Sequence, residues 1–194
     1  MRKRTAAIGM LGVMGFVMGL FATAAMSHSI VAMQATGQSA TSPAKTSPAE
    51  GYNVHVLAPH MVDGKVMGPY HHYCKVLAPD PQIQCLIYDS TDPNANLVQV
   101  EWIYAKKLTR NQVSLQDWNK NWHDHQIEIS GGRVQVLDLP AEKAKEVADL
   151  VATTDGMIYH FYFGKTLPNG KMSVAQAVGH KPMTEAEFKN YESK

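Results

Sequence analysis

The chain has 194 residues, with 18 Lys and Arg against 17 Asp and Glu, nine His and two Cys. That length allows one domain with or without a tail, and the near-neutral balance excludes a polycationic surface for nucleic acid. Two cysteines exclude both a disulfide-dense miniprotein and a four-thiolate zinc module; no Gly-rich phosphate loop, G-x-S-x-G or H-E-x-x-H occurs.

Arg2, Lys3 and Arg4 open the chain, and Thr5 to Ser27 carries no charged side chain. A basic start, an apolar stretch and the A-x-A-like Ala22-Thr23-Ala24 predict a secretory signal peptide over residues 1–25. The competing reading is an uncleaved signal anchor. The expected location is therefore exported, periplasmic or secreted, and alternatively anchored in the inner membrane; membrane contact is expected only if the segment stays uncleaved. Removing the three leading cations leaves 15 basic residues against 17 acidic ones, so nothing draws the remainder to nucleic acid or anionic lipid. Residues 26–50 are rich in Ser, Ala, Thr, Gln and Pro and predict a disordered tether. The globular domain is expected over 51–194.

Within it, Tyr70 to Val76 and Ile83 to Asp89 read as strands around the Pro79-Asp80-Pro81 turn. A symmetric hairpin places Cys74 opposite Cys85 and His72 opposite Ile87, with all four side chains on one face. Leu97 to Ala105 reads as a strand whose apolar face is Val98, Val100, Trp102 and Tyr104, with Gln99 and Glu101 pointing the other way. Ser114 and Asp117 cap a short helix running to about Trp122. His125–Ile129 and Arg133–Leu137 read as a hairpin about Ser130-Gly131-Gly132. Pro140 opens a helix that Gly156 ends. Met157–Phe163 suits a central strand, Pro168-Asn169-Gly170 a turn, Met172–Val178 a strand and Thr184–Tyr191 a terminal helix. Strands joined by short turns give an expected α+β class: mainly antiparallel sheet with two or three flanking helices.

His71-His72-Tyr73-Cys74, Gln84 through Ser90, Asn94-Ala95 and Val100-Glu101 resemble the core of the oil body-associated protein family. Trp122-His123-Asp124-His125 with Glu128 is similar to that family's W-H-x-H-x-x-E stretch, and Tyr159-His160-Phe161 to its aromatic H-F strand. Leu167-Pro168 and Met172 continue the likeness, which covers about residues 60–178. The resemblance implies a domain of unknown function whose plant members associate with seed oil bodies. Residence on an oil body does not carry over to an exported protein, and no reaction comes with the resemblance.

The candidate ligand-binding residues are His72, Glu101, His123, His125, Glu128 and His160. His123 and His125, two apart on a strand, project from one face; with His72 or His160 they could hold a divalent transition metal. On that strand Glu128 faces away. The competing reading is a polar cluster satisfied by its own hydrogen bonds. Glu101 is a candidate general acid or base, with a solvated or ion-paired glutamate as the alternative. Cys74 and Cys85 form a disulfide, remain buried thiols, or join a metal. Asp89, Asp92 and Asn94 offer oxygen atoms to calcium, although a turn needs the same residues. His28, His55, His60 and His180 are expected in solvent. The functional expectation is an exported domain binding a small ligand, lipid or metal in a His-lined pocket. A metal-assisted hydrolase or oxidoreductase and an envelope protein-interaction module are the alternatives.

Overall fold

The structure, a computed structural model, describes residues 47–191. The expected signal segment and most of the expected tether lie outside the described residues. Strands β1 (Val54–Val62), β2 (Lys65–Ala78), β3 (Gln82–Tyr88) and β4 (Leu97–Ala105) come first. Helices α1 (Lys106–Gln112) and α2 (Leu115–Asn121) precede the two-residue β5 (His123–Asp124) and helix α3 (His125–Ser130). Then follow β6 (Gln135–Leu137), α4 (Ala141–Ala152), β7 (Thr154–Phe163), β8 (Pro168–Ala177) and α5 (Glu185–Lys189). No described helix is long and apolar enough to cross a membrane.

The strands pair in the order β2-β3-β4-β7-β8-β1, and β1 also pairs with β2. Six antiparallel strands therefore close on themselves. This corrects the expected α+β sheet with flanking helices: the fold is a mainly-β barrel. The strand missing from the expectation is β1, whose run V-H-V-L-A-P-H-M-V contains a proline that argues against a central strand. Pro59 sits at the register shift between Ala58 and His60, outside the paired positions with β2. Its lost N–H thus falls where the ladder is already interrupted. With β1 in place, β2 and β8 share a neighbour and the sheet loses its edges.

Closure also inverts the expected polarity of β4. Its buried side is Gln99, Glu101, Ile103 and Ala105, whereas Val100, Trp102 and Tyr104 are only half-buried. The aromatic residues face outward, where Trp102 packs against Tyr159 and Tyr104 against Trp122. In β4 the smaller and polar side chains therefore point in and the bulky rings pack outside. Val62, Tyr70, Ile83, Ile87, Ile158 and Ala175 supply much of the core's apolar packing.

The β2–β3 hairpin has the expected register, with His72 facing Ile87 and Cys74 facing Cys85. The two sulfurs are bonded, and the Cα atoms are 4.1 Å apart. The expected strand at His125–Ile129 is instead α3. Asp124 caps it by accepting from the backbone N–H of Gln126, and a capped start beats weak alternation in a six-residue segment. Ser130-Gly131-Gly132 is consequently a helix end rather than a hairpin, with Gly132 at φ +64°. Pro140 does precede a helix, but α4 stops at Ala152 and Gly156 lies inside β7. Pro168-Asn169-Gly170 starts β8 rather than standing as a turn. The Ser114 cap on α2 and the Thr184 capping box on α5 both form.

Candidate functional site

Register puts the site together. Across β4 and β7, Glu101 pairs with Ile158; across β5 and β7, His123 pairs with Gly156. Glu101 therefore points into the barrel beside His123, and the first turn of α3 swings His125 onto both. Glu101 Oε1 lies 3.1 Å from His125 Nε2 and 3.3 Å from His123 Nε2, and the two Nε2 atoms are 3.3 Å apart. All three residues are at most 4% exposed. Bonds of about 2.0–2.1 Å at tetrahedral angles give ligand–ligand edges of ~3.3 Å, so this triangle has the dimensions of one face of a four-coordinate metal site.

The hydrogen bonds behind the triangle set what its atoms offer. Thr154 Oγ1 donates to the carbonyl of Val151 at 2.6 Å, so its oxygen accepts from His125 Nδ1 at 2.9 Å. A neutral His125 then turns a lone pair, through Nε2, toward the lone pairs of Glu101. Such an outer partner fixes the tautomer that a metal ligand needs. Burial alone would push the Glu101 carboxyl up, but the two imidazoles outweigh it and hold it well below the usual range. Burial opposes charge on His125, and the Glu101 carboxylate outweighs that too, moving its pKa up. Both shifts keep Glu101 ionised and favour a positive charge on His125 beside it. A proton bridges one edge of the triangle, whereas a metal ion engages all three corners.

Gly156 keeps the middle of the cluster empty. A Cβ there would stand 2.4 Å from Glu101 Oε1 and 2.7 Å from His123 Nε2, the space a bound ion would use. Glu128 follows His125 by three residues and, because α3 is a helix, comes round to the same side rather than facing away. It is buried, and among the described residues its Oε1 and the Nδ1 of His123 have no hydrogen-bond partner. Burial pushes the Glu128 carboxyl up. Glu101, His125 and Glu128 open on a cavity of ≈ 70 Å³ walled by valines of β1, β6 and α4 and by the Cys74–Cys85 bond.

Of the other expected ligand-binding residues, His72 lines the same cavity without reaching the triangle, and His160 lies elsewhere. Glu101 occupies the corner expected for a third imidazole. His72 Nδ1 donates to the carbonyl of Tyr70, and its Nε2 meets His60 Nε2 at 3.1 Å. The Gln99 side-chain amide bridges His60 Nδ1 and His160 Nδ1. His60 is thus buried rather than solvated, and burial lowers its pKa to about 3. His55 is also buried, with Asp138 as partner; His180 packs on Trp118. Asp89 and Asp92 spend their oxygens on the backbone and side chain of Asn96 and the backbone of Asn94, as a turn requires. Gly156, Thr154 and Gln99 carry no signal in the sequence, because their roles exist only once β7 is laid beside β4 and β5.

Residues 46–194 match the family described as "Protein of unknown function (DUF1264)", and the chain belongs to it. It is 35% identical over 127 residues to oil body-associated protein 1B of Arabidopsis thaliana, covering 60% of this chain and 51% of that protein. Oil body-associated protein 1A of Zea mays is 33% identical over 104 residues, covering 52% of this chain and 42% of the relative. The chain spans about half the length of the curated relatives it matches. No solved structure matches it.

Proposed function

We propose that this DUF1264-family domain binds one divalent transition-metal ion through Glu101, His123 and His125 and a small organic ligand in the adjoining cavity. The observation that carries the reading is the convergence of three lone-pair atoms, with edges of 3.1–3.3 Å, around a space that a glycine leaves open. Two imidazoles and one carboxylate are a donor set suited to zinc or ferrous iron. Within the notion of a small ligand or lipid, the cavity volume favours the small ligand, since ≈ 70 Å³ is far below an intact acyl lipid. The Cys74–Cys85 bond supports an exported location, because disulfides persist in oxidising compartments.

Elemental analysis of the chain purified without chelator tests the metal directly. About one transition-metal ion per chain is expected. His123→Ala should reduce that to background, and Gly156→Ala should weaken binding at least 100-fold, because its methyl group takes the ion's space. Substoichiometric metal that neither substitution changes would reject the proposal. A second reading, metal-assisted hydrolysis, draws on the unpartnered Glu128 oxygen beside the cluster. Turnover of small aryl esters by the metal-loaded chain, lost in Glu128→Gln with metal retained, would support it; no turnover above free zinc would reject it.

A further inference from the structure

The cavity itself carries information about what it takes. Its polar liners are Glu101, His125, Glu128, His60 and His72, its walls include Val54 and Val147, and its liners Val76 and Leu150 are 50% and 39% exposed. The lining thus runs from a charged, buried end to an apolar mouth. With the buried Glu128 carboxyl neutral, as its burial favours, a divalent ion beside the Glu101 carboxylate leaves one uncompensated positive charge in apolar surroundings, which a monoanion neutralises. Glu128 adds a second polar contact, since its Oε1 is without a partner among the described residues and the side chain is nine-tenths or more buried. A cavity of ≈ 70 Å³ holds on the order of five water-sized groups.

Resting on the metal reading above, we infer that the cavity takes a short-chain monocarboxylate, with its head at the metal and Glu128 and its hydrocarbon tail among the valines toward Val76 and Leu150. A carboxylate supplies the negative charge the ion still lacks and accepts a hydrogen bond from the neutral Glu128 carboxyl. A tail of about four to six carbons fills the space.

The zinc-loaded full chain is titrated calorimetrically with acetate, butanoate, hexanoate and decanoate, then with 1-hexanol, and zinc is counted in every sample. Affinity should rise about fourfold per methylene up to about hexanoate, as each CH2 leaves water, and then level off. 1-Hexanol should bind at least tenfold more weakly than hexanoate. Ala148→Phe, which fills the cavity from α4, should keep its zinc and lose the dependence on chain length. Equal affinities from acetate to decanoate, 1-hexanol matching hexanoate, or an unaltered series in Ala148→Phe would each overturn the inference. Zinc bound without any carboxylate response sinks this inference alone; absence of zinc binding sinks the metal reading and this inference with it.

Discussion

Two buried polar clusters sit on adjacent rungs of the β5–β7 pair, where His123 faces Gly156 and Asp124 faces Asp155. On the second rung every charge is answered from within the chain. Asp155 accepts from Thr109 Oγ1, from Trp118 Nε1 and from the Arg110 guanidinium, which also reaches Asp124. Lys106 closes the group 2.7 Å from Asp124. On the first rung, the Glu101 carboxylate meets the imidazoles of His123 and His125. The same stretch of backbone thus holds one cluster whose carboxylates meet Arg and Lys and another whose carboxylate meets two imidazoles. Burial by itself does not distinguish structural from functional polar groups; the balance of donors and acceptors does.

The largest effect should come from breaking the second-rung cluster. Arg110→Met leaves Asp155 buried without its cation, while Asp124 keeps Lys106, and should cost about 3–5 kcal/mol in urea unfolding. A loss below ~1 kcal/mol would mean that the two clusters are not different in kind. Saturating zinc, at about 100 times its Kd, should stabilise the chelator-treated chain by about 2.7 kcal/mol. Glu101→Gln should remove that gain.

Acid probes a third buried polar group, His60 with His72 and Gln99. His60 is held near 3 by burial, whereas in the unfolded chain it titrates near its ordinary value of 6.5. Between those values the unfolded state carries the extra proton, so this contribution is complete above pH 6.5 and is lost as pH falls toward 3. Unfolding free energies from urea titrations between pH 7 and 5 should decline by up to ~1.4 kcal/mol per unit below 6.5. His60→Gln should flatten the decline. The smallest effect on stability is expected for Thr154→Val, at about 1 kcal/mol. Zinc affinity should still fall 10–100-fold, because the outer partner of His125 is lost; unchanged affinity would remove Thr154 from the site.

Much of this site is legible in the sequence as residue types, and little of it as geometry. The β2–β3 hairpin is readable because a Pro-Asp-Pro turn fixes its register, and Cys74 meets Cys85 accordingly. Barrel closure is not, because Pro59 disguises β1 and because strand alternation does not say which side is inside. That ambiguity is why Glu101 looks like the outward residue of β4 and is in fact 3% exposed. His123 and His125 do converge, although through a strand end and a capped helix rather than one extended strand. The helix also explains why Glu128 shares their side.

The most direct measurement is a crystal of the chain grown with zinc and recorded on both sides of the zinc absorption edge. The account predicts one anomalous peak per chain, about 2.0–2.2 Å from Glu101 Oε1, His123 Nε2 and His125 Nε2, that disappears in His123→Ala. No peak at the cluster, or a peak held by other residues while the triangle stays closed on a shared proton, would contradict it.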